Sequence, residues 1–310
     1  MIRFAAISDL KLSNVARMSL LMLAANAAGA SMTLTIRVLS DDLHAFELAF
    51  FRNLFAFLLI IPFIRPIRLS AFQARRPGTI FACSALHVFA MLSFFYAVGL
   101  MPLAELTALT FSKPLFVTVG AVIFLHEIVR ARRWTAVAIG FFGVLIIIQP
   151  DGSAFNSAAI LVIASTVAFS GISLMMKRLS GLENSTTIIL YQNFFLTLLS
   201  LGPAIFVWRN PALQDWPLLI LMGAQGIAAW ICFIRAIKLA DASAVAPFEF
   251  TKLPMIALFA YFMFGEVPSI WTWIGGVIIS ASTVYIAHRE AVAARRAAAI
   301  AATPAPAAAE

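Results

Sequence analysis

Charge is what this sequence has least of. Only 12% of its 310 residues are Asp, Glu, Lys or Arg, 62% are hydrophobic, and the mean hydropathy is +0.97. A soluble domain of this length leaves a large polar surface to cover, so so little charge excludes one. Cysteine is almost absent as well. Cys83 and Cys232 both fall inside apolar segments, so neither a disulfide framework nor a metal site is indicated. There is no His-Glu-x-x-His pair, no Gly-rich phosphate loop and no Ser/His/Asp set that could share one depth. No enzyme activity, cofactor or metal is therefore expected. Without a nucleotide-binding domain, uphill movement of a solute has to draw on an ion gradient or on exchange.

What the sequence does contain is a series of apolar runs of about 20 residues. That length suits a membrane-crossing helix and is too long for the alternating strands of a β-barrel. The expected fold class is an all-α polytopic membrane protein with ten transmembrane helices. They cover approximately 14–37, 46–64, 79–100, 104–125, 133–149, 156–177, 186–208, 217–238, 243–264 and 270–288. The first run has the look of a signal peptide, with Lys11 and Arg17 ahead of it and Ala25-Asn26-Ala27 as a cleavage site. Its apolar character continues to Ile36, too far for a signal segment, so it is read as a membrane helix.

The net charge of +8 does not point to nucleic acid, because the basic residues sit in short clusters between apolar runs. With the N-terminus inside, sixteen Lys and Arg residues fall in cytoplasmic segments, and only Arg37 and Arg209 fall outside. Both termini are accordingly expected in the cytoplasm. Residues 289–310, rich in Ala and Arg and then in Ala and Pro, read as a helical extension fraying into a cytoplasmic tail.

One stretch occurs twice. Phe111-Ser112-Lys113-Pro114 returns as Phe250-Thr251-Lys252-Leu253-Pro254, at an offset of 139 residues between the lysines. The same offset relates Ala97 to Ala236, Glu127 to Glu266 and Trp134 to Trp273. Each half, 14–149 and 156–288, holds five spans. Five is odd, so the second copy enters the membrane inverted, a recurrent design of secondary transporters that bind substrate at the midplane.

A lysine at the bilayer centre costs roughly 2.5–3.5 kcal/mol on insertion scales, so two at equivalent depths ask for a use. On its own helix Lys113 has no acidic neighbour closer than Glu105, about 12 Å away at about 1.5 Å per residue. It is read as holding a substrate carboxylate or phosphate, or else as satisfied by carbonyls and hydroxyls. Pro114 withdraws a backbone donor from the carbonyl of Thr110, which marks backbone lining a cavity. Lys252 follows Glu249 by three residues, the spacing of an ion pair on one helix face. Glu249 is also the candidate proton acceptor for coupling. Further candidates for the substrate wall are His87, on a face of the third span shared with Ser84, Met91 and Phe94, with Tyr96 beyond it, and Gln225 and Trp230 on the eighth span. Arg52 lies near one end of its span, able to reach the headgroups or pair with Glu47. Ala136/Gly140 and Gly276/Ser280 have the small-residue spacing of close helix packing or of a homodimer interface.

The chain resembles the drug/metabolite transporter superfamily, in its EamA-type branch, over roughly residues 14–288. The resemblance rests on the two five-span repeats and on their closing patterns. These run from Pro114-Leu115-Phe116 through Leu125-His126-Glu127 to Gly140 and Gly143, and from Pro254 through Phe264-Gly265-Glu266 to Gly275-Gly276. It implies a bundle with a central cavity lined by the third, fourth, eighth and ninth spans together with the first and sixth. Small multidrug exporters of the superfamily bind cations with an embedded glutamate, whereas here Lys113, Lys252 and Glu249 sum to +1. The expectation is an inner-membrane exporter of amino acids or related carboxylate metabolites, acting on a zwitterionic or anionic small molecule by alternating access. S-adenosylmethionine uptake or exchange is the alternative within transport, and a membrane sensor or structural bundle without flux is the alternative from another class.

Overall fold

The computed structural model describes residues 14–64, 74–125, 131–148, 157–179, 182–183, 185–237, 239 and 248–302. These form eleven helices: α1 (Asn14–Leu39), α2 (Ala45–Ile64), α3 (Pro77–Val98), α4 (Leu103–Thr110), α5 (Lys113–Leu125), α6 (Ala131–Ile148), α7 (Ser157–Leu179), α8 (Ser185–Phe206), α9 (Trp216–Ile237), α10 (Lys252–Phe264) and α11 (Ile270–Ala302). Seven helical segments are long and apolar enough to cross a membrane by length and composition, the α4–α5 pair counting as one of them. Large apolar side chains cover the outside of the bundle, among them Phe124, Phe142, Phe262 and Val277, all more than half exposed. A surface of this kind is stable against lipid and would aggregate in water. The last helix runs on to Ala302, well past the apolar span that ends near residue 288.

The packing is symmetric under exchange of the two halves. The α1–α9 contact is matched by α3–α7, α2–α9 by α3–α8, and α1–α10 by α5–α7. The α2–α8 and α6–α11 contacts are each their own counterpart. This is the pattern of two five-span repeats related by a pseudo-twofold axis. Glycine permits the closest approach. A Cβ on Gly275 would lie 2.6 Å from the carbonyl oxygen of Gly143, so α6 and α11 meet backbone to backbone. Gly140 faces Leu115 and Gly276 faces Leu253 in the same way. The small-residue spacings on these two helices are thus used for packing within the chain.

Loops from both halves gather at one end of the bundle. Gly265, at φ +67°, ends α10 in the left-handed conformation and turns the chain so that Glu266 accepts from the Leu103 amide at 2.8 Å. Glu266 also pairs with Arg37 at 3.5 Å, and Arg37 donates to the Val98 carbonyl at 2.6 Å. An anion at the start of α4 and a cation at the end of α1 both suit the helix dipoles. Glu266 therefore ties α1, α3, α4 and α10 together. Its partner in the repeat, Glu127, lies outside the described residues. At the opposite end Glu183 accepts from the Arg76 amide at 2.5 Å, and Arg178 donates to the Phe124 carbonyl at 2.7 Å.

Candidate functional site

The duplicated motif marks two helix breaks. The spacing predicts a lysine inside one continuous helix, yet α4 stops at Thr110 and α5 begins at Lys113. Between them the amides of Phe111 and Ser112 bond back three residues, to Ala108 and Leu109. The second copy repeats this tight turn, with the Thr251 amide bonding Phe248 and that of Leu253 bonding Phe250, before α10 starts at Lys252. A short 3₁₀ stretch in the middle of a span is a common hinge. The hydroxyls of Ser112 and Thr251 donate to the carbonyls of Leu109 and Phe248, at 2.6 and 2.7 Å, and so occupy acceptors left over by the break. Pro114 and Pro254 then fall in the first turn of a half-helix, where a missing donor costs nothing.

The two breaks meet. The rings of Phe111 and Phe250 stack edge to face with centroids 4.8 Å apart. Around them, Asn26 of α1 donates to the Phe248 carbonyl at 2.5 Å and to the Thr251 hydroxyl at 2.9 Å. On the other side Ser170 of α7 donates to the Lys113 carbonyl at 3.0 Å. Each break is therefore pinned by the first helix of a repeat. Asn26, legible only as a polar residue in mid-span, is the fastening that sequence reasoning left unassigned.

Both lysines thus stand at the first residue of a half-helix, where the backbone dipole adds to their positive charge. The Lys252 side chain lies along Gly29 of α1, with Cε and Nζ 3.8 Å from where a Cβ would stand. Glu249 is solvent-accessible and interacts electrostatically with Lys113 as well as Lys252. The Glu249–Lys252 ion pair expected from helical spacing is not formed within contact distance. The reason is the break at Phe250–Thr251, which interrupts the helix over which three-residue spacing would align them. Glu249 instead stands exposed directly before Phe250, the residue whose ring meets Phe111 of the other half.

His87 is half-buried on α3 and within electrostatic reach of Lys113 and Arg52. Its Nδ1 lies 3.3 Å from the Gln192 amide nitrogen of α8, and its ring packs against Phe169 of α7 at 5.5 Å. Its expected face-mates have other duties: Ser84 donates to the Ile80 carbonyl, and Met91 is buried in the main core. Gln225 of α9 accepts from the Thr35 hydroxyl of α1 at 3.2 Å. Tyr96 is at the far end of α3, its ring 5.8 Å from His44, and nine residues beyond His87. Trp230 is half exposed and stacks on Phe233, beside the small core of Met18, Met22 and Ala236. Arg52 does not pair with Glu47. That carboxylate is fully buried and accepts from the amides of His44 and Arg209, at 3.0 and 2.6 Å.

A separate groove of about 730 Å³ runs along the outside of the bundle between α10 and α11, lined by Phe250, Leu253, Trp273, Tyr285 and His288. Neither lysine nor Glu249 lines it.

Comparison with known proteins agrees with this architecture. The EamA-like transporter family matches residues 16–149 and 156–287, one match per half. The S-adenosylmethionine uptake transporter of Rickettsia bellii is 30% identical over 254 residues, covering 82% of this chain and 87% of that protein. The riboflavin transporter of Vibrio cholerae is 35% identical over 197 residues, 63% of this chain and 66% of its own. The pseudopaline exporter CntI of Pseudomonas aeruginosa is 26% identical over 263 residues, 83% and 91% respectively. A solved crystal structure with 17% identity superposes at a TM-score of 0.61 over 88% of this chain and 98% of that one, a likeness of fold. With two matched repeats, a ten-span arrangement and these relatives, the chain is a multi-pass membrane transporter and belongs to the EamA-like transporter family.

Proposed function

We propose that this transporter carries a metabolite with an amino-acid head group through its carboxylate, with S-adenosylmethionine, whose sulfonium adds a positive charge away from that head group, as the first candidate and amino acids as the second. The observation that carries this reading is the meeting of two half-helix starts, each bearing a lysine, with one exposed glutamate directly before the Phe250 that meets Phe111. Half-helix N-termini at the midplane of inverted-repeat transporters receive anionic substrate groups. Two lysines against one glutamate leave a net charge of +1, which suits a carboxylate and disfavours a simple organic cation. Relatives named for S-adenosylmethionine uptake match along most of their length and favour uptake or exchange over export. The bundle is placed in the inner membrane with both termini in the cytoplasm, on the distribution of Lys and Arg.

Purified protein in proteoliposomes, offered labelled S-adenosylmethionine, amino acids and organic cations, tests the reading. Saturable flux of a carboxylate-bearing compound is the expected result. Flux of organic cations alone would overturn the substrate class, and flux of no compound would overturn transport.

Glu249 has a second role in this scheme, as the group that exchanges a proton when substrate releases the lysines. Glu249→Gln is expected to retain substrate exchange while its net flux no longer varies between pH 5.5 and pH 8, a window on the order of that covered by perturbed carboxylates. A variant with the pH profile of the wild type would exclude this coupling role.

A further inference from the structure

Among the described residues the charge on Arg52 has no counter-ion. Arg52 sits seven residues into α2, within the bundle, where a guanidinium costs roughly as much as a lysine, about 2.5–3.5 kcal/mol on insertion scales. Among the described residues its one hydrogen bond goes to the side-chain oxygen of its neighbour Asn53, at 3.0 Å. Its Nε is buried without an acceptor, and no described carboxylate lies within ion-pair distance of it. Glu47, five residues earlier, is consumed elsewhere.

The surroundings hold this unpaired charge in position. Asn53 is buried and donates to the Leu196 carbonyl and the Ser200 hydroxyl of α8, at 3.4 and 3.2 Å. Anchored there, it turns its carbonyl oxygen to the guanidinium. On the other side stands Gly226 of α9. A Cβ at that position would come within 3.1 Å of Nη2 and 3.2 Å of Nε, so the glycine makes the room that Arg52 occupies. His87 connects this arginine to the lysine break by packing: it lies 3.3 Å from the Gln192 amide, one turn before the Leu196 that holds Asn53, and its ring packs on Phe169, next to the Ser170 that holds the Lys113 carbonyl. A fixed guanidinium with an acceptor missing is half of an anion site.

We propose that Arg52 is a second carboxylate-binding residue of the transport path, sharing the substrate anion with Lys113 across His87. The proposal rests on the reading of the protein as a transporter of carboxylate-bearing metabolites. In the substrate-free protein Asn53 and the space left by Gly226 store the guanidinium in place. When substrate arrives its carboxylate supplies the missing acceptor, and arginine rather than lysine fits because several donors leave one plane.

The test compares the transported compound with its methyl ester, which keeps the amine and loses the anion. In wild-type proteoliposomes the acid is expected to be preferred. Arg52→Gln is expected to raise KM for the acid tenfold or more and to leave the ester unchanged, which collapses the preference. Arg52→Lys is expected to recover part of it. Gly226→Ala, which displaces the guanidinium without removing it, reads the same acid-to-ester ratio should Arg52→Gln fail to reach the membrane. An equal loss for acid and ester, or an unchanged ratio in both variants, would reduce Arg52 to a packing residue between α2 and α9. Wild-type protein that moves neither compound would instead defeat the underlying transport reading.

Discussion

Lys113→Ala is expected to reduce flux of the carboxylate substrate by about 30-fold or more while the protein still folds. Truncating one partner of a buried charged contact costs about 2–5 kcal/mol, and about 1.4 kcal/mol is tenfold in affinity. Folding is expected to survive because the part of Lys113 that the fold uses is its backbone, through the Ser170 hydroxyl, and not its ammonium group. The variant also changes the electrostatics of its partner repeat. Glu249 would be left with Lys252 alone, and the midplane set would fall from +1 to neutral. Tracer uptake into proteoliposomes at several substrate concentrations measures the effect. Lys252→Ala is expected to be milder for binding, because Lys252 lies along Gly29 on α1, whereas the Lys113 backbone is held by Ser170, next to the Phe169 on which His87 packs. Unchanged uptake of a carboxylate substrate by Lys113→Ala would remove the residue from the site.

The second large effect is on stability. Gly275→Val is expected to prevent α6 and α11 from closing, with little folded protein recovered. A Cβ there would stand 2.5 Å from Ile147 Cγ1 and 2.6 Å from the Gly143 carbonyl oxygen. Ile147 is β-branched and has little rotamer freedom in a helix, and the backbone oxygen moves only with its helix. Overpacking costs about 1–3 kcal/mol in ordinary cores, and backbone contact puts this site at the upper end of that range. Gly78→Ala, where nothing lies within 4 Å of the added carbon, is the control and is expected to be neutral. Thermal unfolding of the detergent-solubilised variants distinguishes the two. Wild-type stability in Gly275→Val would mean that α6 and α11 are not held by this contact.

Several corrections come from one cause. The average hydropathy stays high across 104–125 despite Glu105 and Lys113, so hydropathy sees a single span and hides the turn at Phe111–Ser112. The signal for the break was nonetheless present: Ser or Thr followed by Lys and an early Pro is how helices start. Taken as the beginning of a helix and not its middle, the motif places each lysine at a half-helix N-terminus and denies Glu249 the three-residue alignment with Lys252. The Arg52–Glu47 pairing failed for a different reason. Glu47 is five residues from Arg52, a spacing that turns it off the same helix face, and the loop carrying Arg209 arrives from the other half of the chain and takes the carboxylate. Tyr96 shares a helix with His87, yet nine residues carry it about 13 Å along the axis, to a different neighbourhood.

The sequence by itself determined the solvent, the number of crossings and the duplication. Lipid selects on the composition of each segment independently, and a repeat is visible as an offset between residues. Tertiary structure decided which of the rare polar side chains face one another. That Phe111 touches Phe250, that Asn26 fastens one break and Ser170 the other, and that Arg52 Nε is left without an acceptor all depend on helices far apart in the chain. A buried charge is defined by its neighbours, and the neighbours of these residues come from the opposite repeat.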